Sequence, residues 1–366
     1  MRKFLRTTIL IILAFGLVFF IWFFFFRNRG DEQVVNPPEV TATPLIPDVI
    51  DVVGAANFLV FPHRIADYWI HETTGSIYVL DPNGTLSRVS TREGQTNELY
   101  SLALTDVNRI IPSPDQTGAL FVYNYPRSTT LSYLDVTTGV RTPLPQRATS
   151  ADWNPRGDKI AFLDSEGGSS ILRILGIEDQ SIQDALTLHQ YGLDVSWVTS
   201  NTLYFTEKPT SFLPSSLWSY NLSDNTFKTL ARNEPGLMIQ WSDDGRQGIR
   251  YTTAEGVNGL RLIDSENNVL GSFQVATLPS KCTIKGSVFY CAVPKTIPSD
   301  IVLPDDYFKR KVYFKDSFFI WDSASQAPAR VVTPEFLVDA EHLEVYRNEL
   351  YFFNRYDDKL YKIPLS

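Results

Sequence analysis

Three stretches decide the fold: ADWNPRGDKIAFLD (151–164), VSWVTSNTLYFTE (195–207) and IQWSDDGRQGIRYT (239–252). Their tryptophans, Trp153, Trp197 and Trp241, stand 44 residues apart. Each copy has a short apolar run, a polar turn four residues after the Trp, and a second apolar run. Gly157 and Gly245 sit at that turn, with Asn201 in the middle copy. Gly and Asn tolerate the positive φ that tight hairpin turns require.

Weaker copies extend the series. IIPSPDQTGALFVY (110–123) has Pro112 in place of the Trp; SKCTIKGSVFYCA (280–292) has Cys282 there and Gly286 at the turn. HLEVYRNELYFFN (342–354) has Asn348 at its turn. A second aligned set, SIYVLDPNG (76–84), LSYLDVTTG (131–139), LRLIDSENN (260–268) and FFIWDSASQ (318–326), ends each strand on Asp81, Asp135, Asp264 or Asp322. Asp caps such turns by accepting from its own downstream backbone. Four strands per unit of about 42–46 residues predict an all-β protein, a single β-propeller. Seven units fit: 56–90, 107–145, 148–190, 193–232, 236–275, 279–333 and 336–366. Six is the alternative if an end unit is miscounted. The first unit is read with its inner strand at Asn57–Phe61. The last has three strands, and a strand near Ile46–Val53 is expected to supply its fourth and close the ring.

Around these units the W-x-P-x-G and W-S-D-D-G turns resemble TolB-like propeller repeats, relatives of the WD-repeat class. The likeness covers residues 56–366. The WD signature itself is missing: no Gly-His pair opens the units, and Trp321-Asp322 occurs once. The segment KCTIKGSVFYCAVPKTIPSDIVLPDDYF (281–308) also resembles one in uncharacterised membrane-anchored bacterial propellers. The resemblance implies a fold and no activity.

The N-terminal side reads differently. TTILIILAFGLVFFIWFFFF (7–26) is uncharged and, at 1.5 Å per residue, spans about 30 Å, the thickness of the hydrocarbon core. It ends in four Phe and Arg27-Asn28-Arg29, with no small-residue cleavage site and no lipoprotein Cys. Residues 1–29 are therefore read as a signal anchor, a single transmembrane helix. Arg2, Lys3 and Arg6 against Arg27 and Arg29 favour a cytoplasmic N-terminus. Residues 30–48, with Pro37, Pro38, Pro44 and Pro47, read as an extended linker, and 49–366 as an extracytoplasmic propeller in the periplasm or at the cell surface.

Charge follows the same division. The whole chain carries −8, but residues 1–29 hold five Lys/Arg and no acid, so the rest carries −13. An acidic domain repels phosphate backbones, which excludes nucleic acid as a partner. The expected partners are an envelope protein or a wall polymer, besides the membrane.

Candidate chemistry is sparse. His63, His71, His189 and His342 lack the spacing of a zinc site and are read as structural or surface residues. No G-x-S-x-G elbow exists; Gly167-Gly168-Ser169-Ser170 has the wrong spacing. Asp243-Asp244, Asp305-Asp306 and Asp357-Asp358 are adjacent pairs, which point to opposite faces of a strand and form no dyad unaided. No catalytic residue, metal or cofactor is assigned. The alternative to a binding or scaffold module is a glycan hydrolase or lyase with carboxylates drawn from several blades.

Cys282 and Cys291 flank a hairpin turning at Lys285-Gly286. A disulfide or two buried thiols fit; a two-residue turn there would put Cys282 opposite Phe289, so the disulfide calls for a bulge or longer turn. The main irregularity is an insertion in the sixth unit, PKTIPSDIVLPDDYFKRKVYFKD (294–316). Tyr307, Phe308, Lys309, Arg310 and Lys311 make it basic and aromatic, a composition suited to an acidic partner. With Lys208 and Phe212 of the fourth unit they are the candidate binding residues. The ordinary alternative is a hairpin extension, aromatics packed down and lysines solvated.

Overall fold

The computed structural model describes residues 50–53, 59–90, 95–124, 128–255, 259–322 and 328–365. The anchor and linker expected over 1–48 lie outside the described residues. Among those residues no helix is long and apolar enough to cross a membrane.

The described residues form seven sheets, each built on four antiparallel strands, hence seven blades. They span 67–101, 107–143, 148–188, 193–235, 238–272, 282–334 and 340–364, the last completed by Leu59–Phe61. In each blade the first strand lies innermost. Loops between second and third strands share one face, here the upper, with the links between blades; the other turns lie on the lower face.

The 44-residue period has a packing cause. Each Trp sits on an inner strand and wedges backward into the preceding blade. Trp153 donates its indole N–H to Ile111 O at 3.0 Å and crosses Tyr133 edge-on at 6.4 Å. Trp241 packs on Tyr204 at 4.4 Å, and Trp197 joins Ala161, Leu163 and Leu172. The core is thus a circle of sheet-on-sheet layers, one at each blade junction. Gly157 and Gly245 adopt φ +78° and +67°. A Cβ on Gly245 would also lie 2.5 Å from Val198 Cγ1, so neither geometry nor space admits a side chain there. The middle copy closes its turn differently, with Thr199 Oγ1 accepting from Thr202 N.

The ring closes otherwise than expected. Leu59–Phe61 is not the inner strand of the first blade; it is the outer strand of the seventh, antiparallel to Lys359–Pro364. The inner strand of blade one is Asp67–Ile70. Ile50–Val53 adds a fifth, parallel strand to blade six, beside Arg330–Pro334, rather than completing blade seven. This displaces Asp81: its carboxylate still caps a turn, accepting from Asn83 N and Thr85 N, but it closes a second strand, whereas Asp135 and Asp264 close third strands.

Cys282 and Cys291 are directly opposed and form a disulfide with Cα atoms 4.1 Å apart. The turn lies one residue later than the sequence suggested. Lys285 pairs with Val288, and Gly286-Ser287 make the turn, so no bulge is needed. Replacing both cysteines by Ala should lower stability by roughly 2–3 kcal/mol through the freed entropy of the unfolded chain. Chemical denaturation with and without reductant measures it; equal midpoints for the two proteins in oxidising buffer would refute the expectation.

Candidate functional site

The insertion is an excursion across the upper face, not a hairpin. Lys295 N donates to Lys315 O at 2.9 Å and closes its base. Pro298 and Pro304 lack the N–H groups a strand ladder needs. One helical turn, Asp305–Phe308, follows a cis Leu303-Pro304 peptide. Leu303, Val312 and Phe314 then turn inward and join the layer between blades five and six.

One arm reaches blade four. Asp305 accepts from Thr210 Oγ1 at 2.8 Å and from Ser211 N and Oγ at 2.8 and 2.9 Å. Burial would raise its carboxyl; these donors outweigh burial and hold it below the usual range. Asp306 is also held low, by Lys311 at 2.8 Å and by the backbone N–H of Val302. The other arm reaches blade seven. Arg310 meets Asp358 at 3.3 Å, Arg64 pairs with the same carboxylate, and Tyr313 packs on Tyr356 at 5.5 Å.

Beneath the helical turn lies a buried ionic cluster. Lys281, fully buried, meets Asp339 at 2.5 Å and Asp316 at 2.8 Å and donates to Ala340 O at 2.9 Å. Arg355 donates to Asp339 Oδ2 and to Tyr307 O, both at 2.8 Å, with its guanidinium 3.8 Å over the Tyr307 ring. Burial pushes Asp316 up to about 6 against the pull of Lys281, and raises Glu341 against Arg355. Tyr307 is the keystone. Phe314 stacks on it at 5.6 Å and Lys281 lies 5.0 Å from its centroid.

The candidate binding residues therefore separate. Tyr307 is fully buried, because two cations and a carboxylate group around its ring and hydroxyl; it joins the interior and not the surface. Phe308 is 43% exposed and Phe212 68% exposed. Lys309 stands over Phe212 at 5.9 Å, so the two loops meet at these residues. Arg310 and Lys311 are exposed, each in an ion pair. Lys208 stands apart, its charge directed to Asp194. The three adjacent carboxylate pairs form no dyad: Asp305 and Asp306 hold different loops, Asp244 accepts from Ser242 and Arg246, and Asp357 from Tyr361.

A second group lies on the inner strands and went unread in the sequence. Carboxylates accept backbone N–H groups of the next inner strand around the ring: Glu344 from Ile70 at 2.9 Å, Asp67 from Ile110 at 2.6 Å, Asp152 from Trp197 at 2.8 Å. His342 sits between Asp67 at 2.5 Å and Glu344 at 3.3 Å, where blade seven meets blade one. Burial alone would lower its pKa; Asp67 and Glu344 overcome that and raise it to about 10. Burial lifts Asp152 to about 6 and raises Asp194, with Arg109 acting on both. The available signal was a polar residue just before each repeat tryptophan, Asp152, Ser196 and Gln240.

No protein-family model matches the chain, nor does any curated protein sequence. Among solved structures it is similar to the β-propeller domain of Cps50 (Swd1) from Myceliophteria thermophila, with TM-score 0.58 and 8% identity over 85% of this chain and 99% of that one. It is similar to oligogalacturonate lyase from Vibrio parahaemolyticus, with TM-score 0.58 and 10% identity over 85% and 92%. The tricorn protease matches with TM-score 0.51 and 8% identity over 83% of this chain and 34% of its own, so the chain spans about a third of that protein. At these identities the likeness is one of fold. The class is the seven-bladed β-propeller.

Proposed function

We propose that this chain is a binding and scaffold module of a cell envelope, held by residues 7–26 and presenting the upper face of its propeller to a partner. The observation that carries the reading is the insertion. It ties blades four, six and seven together and leaves Phe212 and Phe308 exposed, with Lys309 over the Phe212 ring. A fold that only needed to close would not require a 21-residue excursion (295–315) held at both ends. The disulfide favours an oxidising, extracytoplasmic compartment, and the uncharged run favours a membrane tether. The partner is an envelope protein or a wall polymer.

Photocrosslinking in native cells from a benzoylphenylalanine at position 308 tests this. The expected result is a discrete crosslinked species that fades when Phe212 and Lys309 are both replaced by Ala, a change confined to exposed side chains. Crosslinks of equal yield from that variant would overturn the reading.

A glycan-active hydrolase or lyase is the second reading. Asp152 and Asp194, both raised by burial and both under the influence of Arg109, favour it. The oligogalacturonate lyase carries a glycan chemistry on the same fold. Turnover of any acidic glycan that survives Asp152→Asn with Asp194→Asn would exclude these residues.

A further inference from the structure

We propose that the ridge running from Phe212 to Arg64 on the upper face docks an anionic polysaccharide of the polyuronate type, with one carboxylate per sugar. The proposal rests on the binding role given above to that face and names its ligand class.

The first argument is segregation of charge. The insertion holds five cations, Lys295, Lys309, Arg310, Lys311 and Lys315, against Asp300, Asp305 and Asp306. Two of its three acids are turned inward: Asp305 and Asp306 are 8% and 9% exposed and are occupied by donors of Thr210, Ser211, Val302 and Lys311. All five cations are exposed, Lys311 paired with Asp306 and Arg310 with Asp358. Residues 295–315 carry five cations against three acids, a basic patch on a chain whose residues 30–366 carry −13. An anionic partner repelled elsewhere is drawn here.

The second is the interleaving of rings and cations. Lys309 stands at Phe212, Tyr313 packs on Tyr356, and the exposed Arg310 and Arg64 meet at Asp358, two residues after Tyr356. Phe308, Tyr313 and Tyr356 are each about two-fifths exposed. A uronate residue presents an apolar C–H face for a ring and a carboxylate edge for a guanidinium or ammonium. Repeating residues present that pair repeatedly. An acidic peptide offers the charge without the regular apolar face.

The third is extent. The contacts run without a break from the blade-four loop through the insertion to Asp358 and Arg64 on blade seven. An extended line of this kind fits a polymer better than a small molecule, which takes a concave pocket.

The test uses the full chain in detergent micelles, titrated with alginate, with dextran as neutral control. Polyglutamate and oligodeoxythymidylate serve as acidic-peptide and nucleic-acid controls. The expected result is binding to alginate at least tenfold tighter than to polyglutamate or oligodeoxythymidylate, none to dextran, and weakening with salt. Phe212→Ala with Lys309→Ala should weaken alginate at least tenfold with the unfolding midpoint unchanged. Lys285→Ala, on the lower face, should not. Equal affinity for alginate and polyglutamate, or equal loss from Lys285→Ala, overturns the proposal. A protein crosslink at position 308 without alginate binding overturns it while leaving the binding role intact. Silence in both experiments removes both.

Discussion

Replacing Lys281 by Met should cost the protein about 3–5 kcal/mol, because it strands two buried carboxylates against each other. Lys281 is the ammonium common to Asp316, Asp339 and the carbonyl of Ala340, all fully or nearly fully buried. Removing it leaves Asp339 with the cation of Arg355 and Asp316 with the backbone N–H of Ala340. The insertion, the roof over this cluster, should loosen first, since Tyr307 loses one of the two cations at its ring. The effect should carry a pH signature. Asp316 already binds its proton at about 6 in the folded protein, against 3.8 ordinarily. A folded-state value raised in this way gives stability that is full below the ordinary value and is lost as pH rises through the folded one. Without Lys281 the proton is held more tightly still, so the variant should regain stability as pH falls from 7 towards 5 more steeply than the parent. Urea denaturation at both pH values, with limited proteolysis within 295–315, measures this. A loss below about 1 kcal/mol, or one independent of pH, would show that the cluster is not the roof's support.

The second large effect is alkaline. The raised pKa of His342, about 10 against 6.5, comes from the two carboxylates that hold it, Asp67 of blade one and Glu344 of its own strand. Its contribution is complete below pH 6.5 and is lost as pH rises through about 10. With the side chain 30% exposed, the loss should be on the order of 2–4 kcal/mol between neutral pH and pH 10. His342→Gln should be less stable at pH 7 and nearly flat over that interval. A parent curve that is itself flat from pH 7 to 10 would show that the imidazolium does not hold the junction of blades seven and one.

Much of the fold was legible because its cause is local and repeated. Trp153, Trp197 and Trp241 each perform the same task at the same place in a blade, so their spacing carries the architecture. Strand membership was less legible. Asn57–Phe61 reads as an inner strand in the sequence, and nothing local reveals that Leu59 and Phe61 pair with Tyr361 and Leu360 at the far end of the chain. The disulfide register turned on a single residue: Lys285 stays in the strand, and Gly286, at φ +61°, begins the turn. In the insertion, alternating apolar and basic residues look like an exposed strand. Tyr307 is buried through Lys281 and Arg355, which approach it from other parts of the chain. The inner-strand carboxylates were illegible for a related reason. Asp67, Asp152 and Glu344 are isolated residues, each paired with the backbone of the next blade.

The strand Leu59–Phe61 also imposes an order in time. It is among the first parts of the propeller to leave a ribosome, and its partner strand, Lys359–Pro364, is among the last. At 5–20 residues per second, about 300 residues of separation amount to roughly 15–60 s. Blades one to six contain all their own antiparallel strands and can assemble during that interval. Phe61, buried in the finished ring between blade one and Tyr351, Phe353 and Leu360, lacks the second half of its cover until the seventh blade arrives. The growing chain therefore has an interval, set by topology alone, in which an apolar N-terminal segment is open to holding chaperones or to the same segment of a neighbouring nascent chain.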